Sequence, residues 1–381
     1  MIRKNYPSWG SAVRPTSVLI VLQLIGVGST HAAPCVSRRA GAVPAAYRET
    51  VTRMRTLVCE RLSSHIPGVQ VAVAIDGTLV WSEGFGYADA ARKRPVTRAT
   101  QFRIGSVSKP LTAAAVVLLY EQGKLDLDAP IQRYVPTFPD KGYPISTRQL
   151  AGHLAGIRHY KDREFFLNRH FATVRDGLAI FQDDSLLVPP GTRFSYSSYG
   201  WNLVSAVVEG AAGEDFLPYI SARVFRPLGL THTAPDRADS VLPDRTQFYD
   251  ADSTGVYRLA PPVDNSYKWA GGGFVSTAED LVKFGSALLA PGFLRRETLD
   301  LLFTSQRTSA GEETGYGIGW FVRTDSLGHH WAFHGGSAVG GTAVFGLDRD
   351  SHVVVALLTN LSAAPVEPAQ EIEAAFEGLR R

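Results

Sequence analysis

Strand-like stretches of apolar residues lie near both ends of the chain. Residues 68–86 read GVQVAVAIDGTLVWSEGFG, and Asp76-Gly77 between the two apolar halves is a strong β-hairpin signal. Residues 315–360 contain four further strand-like stretches: GYGIGWFVR, HHWAFHGG, TAVFGLD and HVVVALLTN. The predicted sheet therefore takes its strands from both ends of the sequence.

Helix signals accompany these strands and fill the middle of the chain. The first helix opens at Pro44 and carries apolar residues on one side: Val51, Met54, Leu57, Val58 and Leu62. A second, strongly apolar helix ends at Gly123. The segment TAED at residues 277–280 caps a third, and PAQEIEAAFEGLRR forms a last one. Residues 125–265 are rich in helix and loop signals, so the pattern predicts a mainly helical region inserted into a sheet.

The first 32 residues have the features of a leader. Three basic residues and no acidic residue accompany the apolar run VLIVLQLIGVG, and Thr30 and Ala32 stand where a signal peptidase requires small residues. The run is shorter than the roughly 20 apolar residues of a membrane span. We therefore predict a signal peptide over residues 1–32 and an exported, periplasmic or secreted protein. The absence of any acidic residue before Glu49 leaves an organellar transit peptide as the alternative.

Composition and charge narrow the classes of protein. The chain has 381 residues, of which 45% are apolar and 20% charged, as in an ordinary globular protein. The formal charge of +3 falls to zero once the predicted leader is removed, so there is no electrostatic case for a nucleic-acid partner. The two cysteines, Cys35 and Cys59, would form a disulfide in an exported protein, whereas one buried and one free thiol is the alternative.

The stretch RIGSVSKPLTAAAVVLLYEQGKLDLD at residues 103–128 begins an apolar helix with a serine and a lysine. Ser106 and Lys109 are three residues apart and share a helix face. The helix dipole favours an anion at Ser106, and burial lowers the pKa of a lysine until it becomes an effective base. This pair alone is a weak signal, because a Ser-x-x-Lys match occurs by chance on the order of once in a chain this long. A capping serine beside an unrelated surface lysine would give the same pattern.

Three further stretches carry a family resemblance: PPGTRFSYSSYGWNLVSAVVE, AGGGFVSTAEDLVKFG and WAFHGGSAVGG. The first places Tyr196 in a turn before a helix, and the last ends a strand with His334-Gly335-Gly336. Together with Ser-x-x-Lys, they resemble the serine β-lactamase and penicillin-binding family of acyl-transfer enzymes. The segments GKLDLDAPIQRYVPTFPDK and LAGHLAGIRHY look most like the mitochondrial serine β-lactamase-like branch, which is described as a peptidase.

The resemblance implies an α/β (α+β) fold of the β-lactamase/transpeptidase type. In this fold an antiparallel sheet is flanked by terminal helices, and a mainly helical subdomain is inserted. The catalytic domain would span residues 43–381. Its sheet subdomain would cover about residues 43–105 and 266–381, and its helical subdomain about residues 106–265. The site would lie in a cleft between them, with no metal or organic cofactor.

The resemblance also implies a role for each matching residue. Ser106 is the expected nucleophile and Lys109 its base. Tyr196 would shuttle protons to the leaving group, and His334 stands where the family has its cation. The expected oxyanion hole consists of the backbone N–H groups of Ser106 and Ser337.

The predicted substrate contacts depart from the family at two positions. Ser198 stands where many members have Asn, so the amide that grips an acylamide side chain is missing. Gly335 stands where Thr or Ser would hydrogen-bond a substrate carboxylate, while Gly336 is expected to let the substrate backbone approach the strand. We therefore expect weak β-lactam turnover and a preference for small esters or peptides.

Two histidines carry further expectations. The ordinary pKa of histidine, near 6.5, predicts that His334 changes its charge within the working range and gives a bell-shaped kcat/KM profile. His153 is expected to be a structural hydrogen-bonding residue. The sequence has no His, Asp or Glu cluster with zinc-like spacing.

These observations predict a serine hydrolase that forms a covalent acyl-enzyme with an amide or ester, above all a peptide. One alternative is a non-catalytic scaffold or filament-forming member of the same fold, and self-association is compatible with both. The other is a true β-lactamase or D-Ala-D-Ala carboxypeptidase. An α/β-hydrolase is excluded, because its Gly-x-Ser-x-Gly elbow is absent and His-Gly-Gly comes late in the chain.

Overall fold

An antiparallel sheet is the largest element of the computed structural model, which describes residues 35–63, 65–325 and 328–380. The strands in these residues are β1 (Ser37–Arg39), β2 (Gly68–Ile75), β3 (Thr78–Asp89), β4 (Arg94–Pro95), β5 (Phe102–Arg103), β6 (Ala234–Pro235), β7 (Tyr249–Ala251), β8 (Tyr257–Leu259), β9 (Phe274–Ser276), β10 (Phe321–Thr324), β11 (His330–Ala338), β12 (Gly341–Asp348) and β13 (Val353–Thr359). The large sheet has the order β1-β3-β2-β13-β12-β11-β10, and β4 pairs with β3. Strands from the two ends of the chain meet at the β2–β13 pair, as the strand pattern predicts. The predicted leader lies outside the described residues.

The predicted hairpin is confirmed. Strands β2 and β3 pair antiparallel up to Ile75 and Thr78, with Asp76 and Gly77 at the turn. Both turn residues have positive φ, 48° and 75°. A two-residue hairpin turn of this type requires positive φ at both central positions, which Asp-Gly tolerates well.

Helices cover the sheet and fill the insertion. The α-helices in the described residues are α1 (Arg48–Val58), α2 (Ser108–Glu121), α3 (Thr147–Ala151), α4 (Val174–Leu178), α5 (Ser198–Ala212), α6 (Phe216–Ile220), α7 (Trp269–Gly272), α8 (Ala278–Leu289), α9 (Arg296–Phe303) and α10 (Pro368–Glu377). Shorter 3-10 or π turns extend several of them, including Gly105–Val107 before α2 and Ser266–Lys268 before α7. The side chain of Thr277 accepts a hydrogen bond from the Asp280 N–H and caps α8, as the TAED segment predicts.

The sheet has a different core on each face, because alternate residues of a strand point to opposite sides. On one face, odd-numbered residues of β2 and β13 pack with α1 and α10 in a cluster that includes Val71, Val355, Val58, Ile372 and Phe376. On the other face, the even-numbered residues of both strands join a larger core that contains α2, α5 and α8. Helices α2 and α5 of the insertion therefore pack on the second face, whereas Tyr249 in β7 joins the cluster on the first.

One predicted strand is shorter than expected. The alternating pattern of GYGIGWFVR predicts a strand from Gly315, but β10 begins at Phe321. Gly315 and Gly319 both have positive φ, 67° and 80°, and turn the chain before the strand. A Cβ at Gly319 would lie 2.7 Å from the Ala113 Cβ, so the segment is held against α2 by a contact that only glycine permits.

A disulfide between Cys35 and Cys59 joins the start of the described chain to the turn that follows α1. The alternative of one free and one buried thiol is therefore not what the structure contains. None of the helices in the described part of the chain has the length and apolar character needed to cross a membrane.

Candidate active site

Ser106 lies in a tight turn that places its side chain at the start of α2. The turn spans Gly105–Val107, and Gly105 has a positive φ of 48°. A Cβ on Gly105 would lie 2.5 Å from the carbonyl oxygen of Ser337 in β11, a distance that no other residue could accommodate. Glycine therefore lets the strand approach the residue just before Ser106. This brings the two predicted oxyanion donors, the N–H groups of Ser106 and Ser337, into the same neighbourhood.

Lys109 is fully buried, and its amine contacts three oxygen atoms. Its Nζ lies 2.8 Å from Ser106 Oγ, 3.3 Å from Ser198 Oγ and 2.7 Å from the carbonyl oxygen of Gly271. Burial lowers the pKa of Lys109 well below its usual value, and the nearby charge of Lys268 lowers it further. A neutral amine has two N–H groups and one lone pair. The N–H groups can donate to Gly271 and Ser198, which leaves the lone pair to accept the Ser106 hydroxyl proton.

Tyr196 lies on the other side of the same serine oxygen. It comes two residues before α5, and its hydroxyl donates to Ser106 Oγ at 2.9 Å. The Tyr196 ring stacks on Phe321 with an interplanar angle of 4°, and Lys109 Nζ lies 4.9 Å from its centre. The structure therefore brings Ser106, Lys109 and Tyr196 together, as the motifs predict.

Two histidines hold the backbone that follows Tyr196. The N–H of Ser197 donates to His153 Nδ1 at 3.0 Å, and the N–H of Ser198 donates to His159 Nδ1 at 3.1 Å. Burial lowers the pKa of His153 well below its usual value, so this ring is neutral and can accept a hydrogen bond. The structural hydrogen-bonding role predicted for His153 is confirmed.

His334 is near the site, but it is not the cation that its position implies. Its side chain is buried, Nδ1 donates to the Gly335 carbonyl oxygen at 2.7 Å, and Nε2 lies 3.0 Å from the Tyr316 hydroxyl. Burial, with a smaller effect of Lys109, lowers the pKa of His334 to about 3. The expectation of a charge change near neutral pH is therefore wrong, because the neutral ring is the form that this buried pocket favours.

The predicted substrate contacts have three different environments. Gly335 is exposed, and a Cβ there would meet nothing within 4 Å, so this position faces open space. Gly336 is buried, and a Cβ there would lie 1.9 Å from the Ile104 carbonyl oxygen. Its glycine therefore serves the packing of β11 against the turn before α2, and the substrate contact expected for it stays a prediction. Ser198 is also buried and its Oγ lies 3.3 Å from Lys109 Nζ, while its expected contact with substrate stays a prediction.

Sequence reasoning missed two residues of this site. Tyr316 is buried, and burial raises the pKa of its hydroxyl well above the usual value, so it stays protonated and donates to His334. Lys268 is a second buried lysine, directly before α7. Tyr316 falls in the predicted strand GYGIGWFVR and Lys268 just before the stretch AGGGFVSTAEDLVKFG, and a buried tyrosine or lysine has no spacing that marks it in advance.

A group of metal-binding side-chain types exists elsewhere in the described residues. Ligand atoms of Asp325, His329 and Glu377 lie within 4.8 Å of one another. His329 Nδ1 is 3.0 Å from the carboxylate of Asp348 and 2.6 Å from that of Glu377, so contacts within the protein account for the position of this ring. None of these residues is among those predicted for the site, and metal-free chemistry remains a prediction.

Comparison with known proteins shows which family this chain is similar to. Residues 48–380 match the Beta-lactamase family. The mitochondrial serine beta-lactamase-like protein LACTB of Homo sapiens is 33% identical over 372 residues, which cover 73% of this chain and 68% of that protein. The D-aminopeptidase of Gluconobacter oxydans (strain 621H) is 28% identical over 326 residues, covering 81% and 59%. The structure of the octameric penicillin-binding protein homologue from Pyrococcus abyssi matches with a TM-score of 0.75 and 26% identity, covering 86% of this chain and 77% of that one. The resemblance and the fold predicted from the motifs are confirmed.

Proposed function

The chain belongs to the beta-lactamase family, and from this premise we propose that it is a serine hydrolase acting through a covalent acyl-enzyme. The observation that carries the proposal is the environment of Ser106 Oγ. It lies 2.8 Å from a buried amine with a lowered pKa and 2.9 Å from a tyrosine hydroxyl. A nucleophile needs a base, and its leaving group needs an acid, within hydrogen-bond reach.

Acylation uses both neighbours of the serine. Lys109 accepts the hydroxyl proton of Ser106 while Oγ forms a bond to the substrate carbonyl carbon. The tetrahedral intermediate then collapses, the bond to the leaving amine or alcohol breaks, and Tyr196 donates its proton to the leaving atom. The proton on Lys109 then returns to Tyr196, because the amine and the tyrosine hydroxyl lie beside the same atom, 2.8 Å and 2.9 Å from Ser106 Oγ.

Deacylation repeats these steps with water. The same pair of groups removes a proton from the water, its oxygen attacks the ester carbonyl carbon, and the bond to Ser106 Oγ breaks as the serine regains its proton. The N–H groups of Ser106 and Ser337 would stabilise the oxyanion in both half-reactions. The close packing of Gly105 on Ser337 supports this pairing of donors.

The substrate we propose is a neutral amide or ester, with peptides as the main class. Neutral His334 and exposed Gly335 provide neither a charge nor a hydroxyl for a substrate carboxylate. Loss of neutral hydrogen bonds costs roughly 0.5–1.5 kcal/mol each, so carboxylate-bearing β-lactams would still bind but turn over slowly. The similarity to a D-aminopeptidase supports peptides as candidates.

A fluorophosphonate probe followed by a substrate panel tests the proposal. We expect covalent labelling of Ser106, identified by mass spectrometry, and no labelling of a Ser106→Ala variant that keeps its circular dichroism spectrum. Purified protein should then hydrolyse small esters or peptides faster than penicillins. A label on another serine would refute the assignment of the nucleophile. Penicillin hydrolysis near the diffusional ceiling of about 10⁸ M⁻¹s⁻¹ without ester turnover would refute the substrate class.

A scaffold function is the second candidate, because one structural relative is described as octameric. A self-associating protein would give a high-mass species in size-exclusion chromatography coupled to light scattering. If Ser106→Ala left a cellular role intact while disruption of the assembly abolished it, the scaffold function would be favoured.

Export is our proposal for the location. The Cys35–Cys59 disulfide supports it, because such bonds persist in oxidising compartments. Similarity to a protein named as mitochondrial supports the organellar alternative. Cell fractionation, combined with non-reducing electrophoresis of the native protein, distinguishes the two.

A further inference from the structure

Lys268 is a buried amine that the acyl-transfer steps do not use. It is 3% exposed, and its Nζ donates to the carbonyl oxygen of Phe165 at 3.4 Å. The same nitrogen lies 4.6 Å from the centre of the Phe165 ring, 5.0 Å from that of Tyr267 and 5.8 Å from that of Tyr160. Aromatic faces at these distances stabilise a cation. These rings therefore offset part of the cost of burying a charge on Lys268.

A short helix links Lys268 to the catalytic lysine. Lys268 immediately precedes α7, and Gly271 in that helix accepts the hydrogen bond of Lys109 at 2.7 Å. Three residues of helix correspond to a rise of about 5 Å, so the carbonyl oxygen that the Lys109 amine contacts lies less than one helical turn from the backbone of Lys268. Both amines are buried, and water screens a charge poorly in such a site.

We propose that Lys268 is a positioning residue whose buried charge keeps Lys109 in its neutral, proton-accepting form. The inference rests on the proposed function, since it matters only if Lys109 is the base for Ser106. It assigns to Lys268 no contact with substrate.

The direction of the effect follows from the charges around the two amines. The pKa of Lys109 is lowered first by burial and then by Lys268. Two histidines, His153 and His334, also face Lys109, but burial lowers the pKa of each and keeps both rings neutral. The hydroxyl of Tyr196 is the remaining titratable group against it. Burial therefore contributes most to the lowered pKa of Lys109, and the charge of Lys268 lowers it further.

Lys268 itself becomes charged in the pH range where a nearby cation is needed to oppose protonation of Lys109. Burial, with an added effect of Arg103, lowers its pKa to about 7, and Asp236 opposes this shift. Asp236 accepts hydrogen bonds from Arg103 at 2.6 Å and from Arg245 at 2.9 Å, so its charge is largely compensated. Below pH 7 the cationic form of Lys268 grows, and this cation opposes protonation of Lys109.

The rate of fluorophosphonate labelling as a function of pH tests the inference without a known substrate. In Lys268→Met we expect the midpoint of the acid limb to move to a pH about one unit higher. At pH values below the acid limbs of both proteins, this shift corresponds to a tenfold lower labelling rate for the variant. Lys268→Arg, which stays charged, should keep the limb at or below the wild-type position. Lys283 is an exposed lysine of α8 that donates to the carbonyl oxygen of Gly229, and Lys283→Met is the matched control with an unmoved limb.

The outcomes separate the inference from the proposed function. An unmoved limb in a folded Lys268→Met variant would overturn the inference while Ser106 labelling still supports the serine hydrolase. Equal upward shifts in the Met and Arg variants would also overturn it, because they would indicate disturbed packing instead of a lost charge. Absence of wild-type labelling at Ser106 would overturn both. If Lys268→Met does not fold, Lys268→Gln is also neutral and carries the same expectation.

Discussion

The two faces of the large sheet are packed in different ways. On the face covered by α1 and α10, apolar side chains form the cluster, and the buried carboxylate of Glu83 accepts two hydrogen bonds of 2.8 Å from Arg55. On the face covered by the helical insertion, Lys109 is buried against two hydroxyls and a carbonyl oxygen. A charge on the first face is paired with its opposite, whereas on the second face burial lowers the pKa of Lys109 and keeps the rings of His153 and His334 neutral.

This difference separates stability from chemistry. Burial of apolar surface on the first face stabilises the fold by roughly 25 cal/mol for each Å². On the second face, the pKa values of Lys109, Lys268 and His334 are lower in the folded than in the unfolded chain. The unfolded chain therefore binds more protons than the folded chain does. Folding therefore becomes less favourable at any pH where the unfolded groups are protonated. We infer that apolar burial on the first face offsets the loss of folding free energy caused by the buried titratable groups of the second face.

The largest expected effect comes from removal of the catalytic amine. Lys109→Met should lower the rate of fluorophosphonate labelling by about 10³- to 10⁴-fold, because the Ser106 proton loses its acceptor. The free energy of unfolding should stay the same or rise, since a buried amine with a lowered pKa is replaced by an apolar chain of similar length. Labelling kinetics and urea denaturation measure the two effects. A clear loss of stability with retained labelling would reverse the comparison of the two faces.

The opposite result is expected on the apolar face. Phe376 in α10 is fully buried, and its ring stacks on Trp81 with centres 6.3 Å apart. Phe376→Ala should lower the free energy of unfolding by about 3–5 kcal/mol, through lost burial and a residual cavity. The labelling rate of the folded variant should match the wild type, because Phe376 contacts none of the groups around Ser106. Urea denaturation at fixed pH checks this, and a large fall in labelling of folded protein would show that the two faces are coupled.

Much of this arrangement could be predicted from the sequence. The hairpin at Asp76-Gly77 and the capped helix at Thr277 are local signals with a physical cause. Ser106 and Lys109 share a helix face by their spacing, and Tyr196 is predicted by its motif before a helix. These predictions succeed because each depends on neighbours in the sequence or on a spacing that the chemistry requires.

The remaining features depend on contacts between distant segments. The state of His334 is set by burial and by Tyr316, which is 18 positions earlier, so the ordinary pKa of histidine gave the wrong charge. Lys268 becomes relevant only because α7 carries the carbonyl oxygen that Lys109 uses. The strand predicted from Gly315 begins only at Phe321, because Gly319 turns the chain where it packs against Ala113 of α2. Each of these is a tertiary effect.

A smaller effect on stability should distinguish a buried tyrosine hydroxyl that makes a hydrogen bond from one that makes none. Tyr316→Phe removes the donor to His334 Nε2 and leaves a buried acceptor, which should cost about 1–3 kcal/mol of unfolding free energy. Tyr219 in α6 is the matched control. Its hydroxyl is buried and has no hydrogen-bond partner among the described residues, so Tyr219→Phe should be neutral or stabilising. Equal destabilisation of both variants would show that the Tyr316–His334 contact has no special weight.

The smallest expected effect is on the alkaline side of the labelling profile. Because the pKa of His334 is lowered to about 3, its ring is neutral in the folded protein throughout pH 5–9. The labelling rate should therefore fall on acidification, as Lys109 is protonated, and should show no alkaline limb that depends on His334. Below pH 6.5 the unfolded chain protonates this histidine while the folded chain does not, so acid lowers the free energy of unfolding without changing the charge of His334 in the folded protein. His334→Gln keeps an amide donor for the Gly335 carbonyl oxygen and an acceptor for the Tyr316 hydroxyl, and its profile should superimpose on the wild type in shape.

The opposite outcome would be an alkaline limb near neutral pH in the wild type that His334→Gln removes. His334 would then be charged during the reaction, and the contrast between the two faces would be wrong at this residue.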